Sequence, residues 1–221
     1  MRVVIAGGHG KIALRLTRLL AGRGDTVVGL VRNPDHVADV NAAGGDGVVL
    51  DLEHAAVEEV AAAITGADAV VFAAGAGPGS GAERKDTVDR GASVLLADAA
   101  LAAGVRRYVQ VSAMRLERAD DPGVEGVFAV YLKAKKAADD DLMSRDLEWT
   151  ILRPGGLTDD PGTGTVTLAA TVPPGPVTRD DVATVLVGLL DRPATVGKVF
   201  ELIGGDTAID AAIDQALTEP A

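Results

Sequence analysis

Tyr131-Leu132-Lys133-Ala134-Lys135 sets a phenol and an ammonium four residues apart, a spacing that brings both to one face of a helix. A free phenol ionises near pH ~10, too high for easy proton exchange at neutral pH. A neighbouring cation favours the phenolate and brings that value down, so the pair suits proton transfer at a carbonyl oxygen. Ser112, at the end of the apolar run Tyr108–Ser112, is placed to offer its hydroxyl to the same oxygen. The chain has only two tyrosines, which makes the spacing informative. The competing reading is that Tyr131 packs, while Lys133, Lys135 and Lys136 form a solvated basic face.

A second group lies at the start of the chain, in Val3-Val4-Ile5-Ala6-Gly7-Gly8-His9-Gly10-Lys11-Ile12-Ala13. An apolar run ends in glycines, and a helical pattern through Ile12, Leu16 and Leu20 begins at once. Gly8-x-Gly10-x-x-Ala13 fits the general dinucleotide fingerprint, and Gly7-x-x-Gly10-x-x-Ala13 fits its variant with one more residue between the first two glycines. The free amides of Gly7, Gly8, His9, Gly10, Lys11 and Ile12 are expected to hold a pyrophosphate at the helix N-terminus. His9 contributes only backbone in this reading.

The second apolar run ends Val31-Arg32-Asn33, with no carboxylate to accept from an adenosine ribose 2′-hydroxyl. Arg32 offers a planar, permanently charged fork to a 2′-phosphate, so NADP(H) is expected over NAD(H). A solvent-exposed arginine at a strand end is the alternative. Asp51-Leu52 stands where a side chain can accept from the adenine amino group, or where Asp51 simply caps a helix. Ala73, Ala74 and Gly75 open a glycine-rich loop, 75–81, whose backbone can approach the cofactor ribose.

These residues need a scaffold of alternating strands and helices, and the sequence spells one. Strands are expected at 3–6, 26–31, 48–50, 69–74, 108–112, 149–152 and 198–203, with a β-like run at 165–172. Helices are expected at 11–21, a short one from Asn33-Pro34 to about Gly44, then 54–65, 83–103, 128–145, 178–190 and 208–217. Residues 113–127 read as a polar connection. This alternation predicts an α/β fold, a Rossmann-type doubly wound parallel sheet with helices on both faces. The whole chain, 1–221, reads as one domain with a small, irregular C-terminal substrate-region insertion at about 154–176.

The composition removes several classes of function. The formal charge of −11 repels nucleic acid and anionic lipid, so neither is expected as a partner. There is no cysteine, which excludes disulfides, thiolate zinc sites and cysteine nucleophiles, and no metal site is expected. No apolar run reaches the roughly 18–20 residues of a membrane helix. No signal-peptide pattern opens the chain, and a cytoplasmic location is expected. The expected partner is a small-molecule substrate; the oligomeric state is left open.

With the glycine turn, Val31-Arg32-Asn33-Pro34, Val109-Gln110-Val111-Ser112, Tyr131-x-x-x-Lys135 and Trp149-Thr150-Ile151-Leu152-Arg153-Pro154-Gly155-Gly156 in order, the chain resembles the short-chain dehydrogenase/reductase superfamily. Within it the chain is most similar to the atypical, NAD(P)-binding group that includes NmrA-like and biliverdin-reductase-B-like proteins. The resemblance implies that Ser112 and Tyr131 polarise and protonate a substrate carbonyl, and that Lys135 binds the nicotinamide ribose and lowers the tyrosine's pKa. It implies an NADP(H)-dependent oxidoreductase acting on a small carbonyl, quinone or similar acceptor. Some members of the group lack the catalytic set, so a non-catalytic, NAD(P)-binding redox sensor or regulatory protein is the alternative. A nucleotide-sugar epimerase is disfavoured by the short substrate region.

Overall fold

The computed structural model describes residues 1–77, 79–121 and 123–218. Strand β1 (Arg2–Ala6) leads into α1 (Lys11–Gly22), β2 (Thr26–Val31), α2 (Val37–Ala42), β3 (Asp46–Val49), α3 (Val57–Ile64) and β4 (Ala69–Phe72). After the glycine loop come α4 (Ala82–Arg84), a π-helical stretch at Lys85–Gly91, α5 (Ala92–Ala103) and β5 (Arg107–Val111). A 3-10 turn at Leu116–Asp120 precedes α6 (Gly126–Met143) and β6 (Glu148–Pro154). Then follow β7 (Gly156–Thr158), β8 (Thr165–Ala169), β9 (Pro176–Thr178), α7 (Arg179–Leu190), β10 (Lys198–Gly204), β11 (Thr207–Ala208) and α8 (Ile209–Thr218).

The strands form a nine-stranded sheet in the order β11-β8-β10-β6-β5-β4-β1-β2-β3, and β7 pairs with β9 separately. From β3 across to β10 every pairing is parallel. The order reverses at β1, where the crossover from β3 returns to β4 on the far side. That reversal opens a crevice at the carboxyl ends of β1 and β4, the place where open α/β sheets take ligands. The fold is Rossmann-like, with one correction to the all-parallel expectation. β8 runs antiparallel to β10, and β11 antiparallel to β8. β8 follows β6 and β7 with no helix between them, and the return from β8 to its antiparallel partner β10 runs through β9 and α7.

Alternation along each strand divides the core in two. Val3 and Ile5 of β1 pack with Leu16 and Leu20 of α1 and Val182, Leu186 and Leu189 of α7. Val4 and Ala6 face the other way, onto Val60 and Ile64 of α3 and Leu96 and Ala100 of α5. This continuous burial is why the strands read as unbroken apolar runs.

Several boundaries differ from the sequence expectation. β3 covers 46–49 rather than 48–50, since Asp46 and Gly47 pair with Val28 and Gly29 despite their low strand propensity. β4 ends at Phe72, so Ala73 and Ala74 already belong to the loop. The expected helix 83–103 is broken by the π-helical turn, which brings Asp89 inward. Within loop 75–81 Pro78, and within the connection 113–127 Pro122, lie outside the described residues. Among the described residues no helix is long and apolar enough to cross a membrane.

Candidate active site

The glycine turn is explained by close approach. Gly7 has φ +78°, and a Cβ there would sit 2.6 Å from the Ala74 Cα; a Cβ on Gly8 would sit 2.6 Å from the Gly29 Cα. β1, β2 and the end of β4 thus converge on one turn, and only glycine fits between them. Gly10 N–H donates to the Gly7 carbonyl at 2.8 Å and starts α1. No side chain caps α1, and its first turn carries no acid, so its leading amides face the crevice with their partial positive charge uncompensated.

A cleft of about 370 Å³ opens beside this turn, lined by Gly7, His9, Gly10, Arg32, Asp51, Leu52, Ala73, Ala74 and Gly75. Three other predicted binding residues do not line it. Gly8 packs on β2 and Ile12 is buried in the core. The Lys11 ammonium pairs with Asp159 at 2.5 Å, so only its backbone amide is left for a phosphate. His9 stacks on His36 with ring centroids 3.6 Å apart, and its Nε2 lies 2.8 Å from Asp39. Its side chain therefore builds the cleft wall, beyond the backbone role expected of it.

Glu53 was not anticipated as a site residue. Arg32 donates to its Oε2 at 2.7 Å, and Arg84 to the same oxygen at 2.8 Å, while the Thr87 hydroxyl reaches Oε1 at 2.7 Å. The Arg84 hydrogen bond first, with Thr87 and both guanidinium charges, holds the Glu53 carboxyl down at about 2 against the opposing effect of burial. So the absence of an acid next to Arg32 in sequence does not hold in space: Glu53 supplies one from 21 residues further on. Asp51 accepts from the Glu53 backbone amide at 3.0 Å and from His54, which closes a turn at 51–54; it does not cap α3, whose N-cap is Ala56.

Ser112 and Tyr131 meet at a second cavity of about 440 Å³, walled by Met114, Phe128, Leu132, Pro154 and Leu157. Lys135 does not line it. Its ammonium is buried, 3.3 Å from Asp89 Oδ1 and 3.3 Å from the Val111 carbonyl that accepts from it. Asp89, 1% exposed, also accepts from the Ala76 amide at 3.3 Å, tying the glycine loop to α6. The lysine's charge is compensated, and the Tyr131 phenol is pushed up to about 12 by burial first, then by Asp89 and Asp139. This corrects the expected lowering by Lys135: α6 brings the two residues to one side, but the carboxylate from the π-helical turn takes the ammonium.

Beneath Ser112 lies Asp139, fully buried. It accepts from the Ser112 hydroxyl at 2.9 Å, Gln110 Nε2 at 2.7 Å and Arg153 Nε at 2.9 Å. Burial raises its pKa, opposed by Arg153 and the hydrogen bonds from Ser112 and Gln110. Asp139 lies four residues beyond Lys135 on α6, one turn further along the same face. That spacing was the available signal for it.

A parallel sheet with an uncapped helix at its switch point and a cleft beside it defines a dinucleotide-binding protein of Rossmann type. The chain belongs to the NAD(P)H-binding family, whose model matches residues 7–193. It is similar to the Bacillus subtilis protein named uncharacterized sugar epimerase YhfK, at 36% identity over 96% of this chain and 99% of the relative. A Bacillus halodurans structure provisionally described as an NAD-dependent epimerase/dehydratase superposes with TM-score 0.90 at 35% identity, covering 97% of this chain and 99% of that one. The oxidoreductase YlbE from Lactococcus lactis superposes with TM-score 0.86 at 28% identity, covering 99% of this chain and 98% of that one.

Proposed function

We propose that the protein is an NADP(H)-dependent oxidoreductase that reduces a small carbonyl, quinone or similar acceptor. The observation that carries this reading is that Ser112 and Tyr131 line one cavity, at the end of β5, the strand beside β4 whose end borders the cleft of dinucleotide type. The residues fit the cofactor. The uncapped amides of the first turn of α1 would hold the pyrophosphate, since the Gly8 and Gly10 amides are already spent on the Leu30 and Gly7 carbonyls, and Ala73, Ala74 and Gly75 would border the ribose. Arg32 and Arg84 would receive a 2′-phosphate in place of Glu53, which competes with it and so moderates the preference over NAD(H). Bound there, NADPH supplies a hydride.

The rest falls to the chain's own groups. A phenol pushed up to about 12 carries its proton at neutral pH, so Tyr131 is a donor and not a base. Reduction needs the protonated phenol, but the raised value also makes Tyr131 a weaker acid than a free tyrosine, so the transfer depends on the negative charge that develops on the acceptor oxygen. Ser112 is oriented by Asp139 and can position the acceptor oxygen. The Lys135–Asp89 pair supports a second reading, in which cofactor is bound without turnover, because the lysine is committed elsewhere.

Tyr131→Phe separates the two. Under the reductase reading, kcat for an aldehyde and quinone panel falls about 10²–10⁴-fold while NADPH affinity is unchanged. If the wild type reduces nothing in the panel, the binding-only reading takes its place.

A further inference from the structure

We infer that the acceptor cavity recognises a flat, apolar carbonyl compound that carries a carboxylate, and that Arg115 is the residue that reads the carboxylate. The inference rests on the reductase reading for the carbonyl; the anion-recognition part stands on its own observations.

The first is charge. The chain carries 32 acidic residues against 21 basic ones, yet the charged side chains of this cavity are Arg115 and Arg118 alone. Asp139 and Asp89 stand behind the wall at Tyr131, so the cationic character is confined to the turn that carries Arg115 and Arg118. Two cations with no lining acid among the described residues favour an anion at that turn, on a chain whose net charge repels anions elsewhere. Arg118 is compensated by Asp121, at 3.1 Å. The exposed Arg115 side chain makes no hydrogen bond or ion pair among the described residues; of the other arginines only Arg18 shares this.

The second is backbone strain. Arg115 has φ +64° and ψ +35° and is the only non-glycine residue at positive φ among the described residues. An arginine there costs on the order of 1 kcal/mol, and such outliers persist only where the surroundings enforce them. They are enforced here. Leu116, 2% exposed, and Ala119 bury against Leu132 of α6, and the Arg118 amide donates to the Arg115 carbonyl at 3.1 Å. The Met114 amide on the other side donates to the Pro154 carbonyl at 3.3 Å. The turn is pinned on both sides, with a free guanidinium three residues from Ser112. Glycine or asparagine would relieve the strain, so arginine at this position needs a reason that folding does not supply.

The third observation shapes the rest of the ligand. Phe128 is 58% exposed, and its ring lies 6.2 Å from that of Tyr131 at 26°. In a chain of six aromatic residues, two stand side by side on this wall. With Met114, Leu132 and Leu157 they offer an apolar, ring-bearing surface suited to a conjugated body. A carboxylate at Arg115 and a carbonyl at Ser112 and Tyr131 define the two ends. A guanidinium pairs with a carboxylate through two parallel hydrogen bonds, and the carboxylate takes no part in the chemistry.

The test uses matched probes. Calorimetric titration of the full chain, with and without saturating NADP⁺, compares 2-naphthoate with 2-naphthamide. The expected result is about tenfold or greater preference for the acid, as for a hydrogen bond to a charged partner. Arg115→Asn, which tolerates the left-handed backbone, removes the preference, Arg115→Lys keeps part of it, and NADPH affinity is unchanged in both. Circular dichroism of each variant confirms folding, and the lysine variant keeps the comparison readable should the asparagine variant misfold. Equal affinity for acid and amide in the wild type, no binding of either, or a preference that survives both substitutions overturns the inference.

Reduction of 4-formylbenzoate against its methyl ester separates this from the reductase reading. An Arg115-dependent preference for naphthoate without reduction of either aldehyde keeps the anion site and removes the reductase. Equal turnover of both aldehydes with no binding preference does the reverse.

Discussion

The cleft beside the glycine turn and the cavity at Ser112 open at the ends of neighbouring strands but are built from different materials. The cleft is lined at its centre by main chain: the turn after β1, the end of β4 and the uncapped start of α1. Its side chains matter at the rim, where Arg32, Arg84 and Glu53 form a charged cluster. The cavity draws larger side chains, among them Met114, Arg115, Phe128, Tyr131 and Leu157, together with Gly155, Gly156 and Gly175, from segments far apart in sequence: the turn after β5, α6, and the loops around β7 and β9. Main-chain recognition is tolerant of side-chain identity and demands close approach. Side-chain recognition is the reverse, which is why one family can keep its cofactor while exchanging substrates.

The largest effect that would sharpen this contrast is steric. Gly7→Ala puts a Cβ 2.6 Å from the Ala74 Cα on a residue at φ +78°. A loss of about 1–3 kcal/mol in stability is expected from the backbone alone, more from the contact. NADPH should also stop raising the melting temperature, because the turn that presents the amides has moved. Thermal melts with and without NADPH read both. An unchanged melting temperature and an unchanged NADPH shift would mean that the cleft does not depend on close approach.

The rim charges come next. Arg32→Ala should weaken NADPH by about tenfold and NADH little, discounted for the half-exposed guanidinium. Glu53→Gln should work the other way. It releases Arg32 and Arg84 and raises the NADPH:NADH affinity ratio several-fold. Equal changes for both cofactors would remove the 2′-phosphate from the argument and leave the cluster a purely structural one.

The smallest effect belongs to the cavity wall. Tyr131 is pushed up to about 12, and Tyr108, wholly buried, is pushed up as well. The ordinary phenol in an unfolded chain titrates near ~10. Both groups therefore contribute stability that is whole below about pH 10 and is lost as pH rises from there through the folded values. Tyrosinate absorbance of the native protein should show no ionisation at pH ~10, and Tyr131→Phe should remove the earlier of the two steps. A phenol titrating near its free value would place Tyr131 in contact with water or with a cation, and would restore the lysine as its partner.

Much of the scaffold was open to sequence reasoning, because period and punctuation encode it locally. β2 falls on 26–31 as expected, and Thr178 caps α7 through the Asp181 amide. Gly7 and Gly8 announce the turn because a Cβ on either would sit 2.6 Å from the backbone of a neighbouring segment. That Tyr131 and Ser112 line a common cavity was also open to sequence reasoning, from the start of a helix and the carboxyl end of a strand.

What escaped the sequence depends on partners distant along the chain. Glu53 reaches Arg32 across the tips of β2 and β3, Asp89 takes Lys135 through a π-helical turn with no sequence signature, and Asp139 gathers Gln110 and Ser112 from β5 and its end and Arg153 from β6. Periodicity tells which face a residue occupies, but the charge that neutralises it comes from whichever element packs against that face. A lysine four residues from a tyrosine is a local fact. Whether its ammonium acts on the phenol or on a buried carboxylate is decided by packing, since in a low-dielectric interior the nearest opposite charge wins.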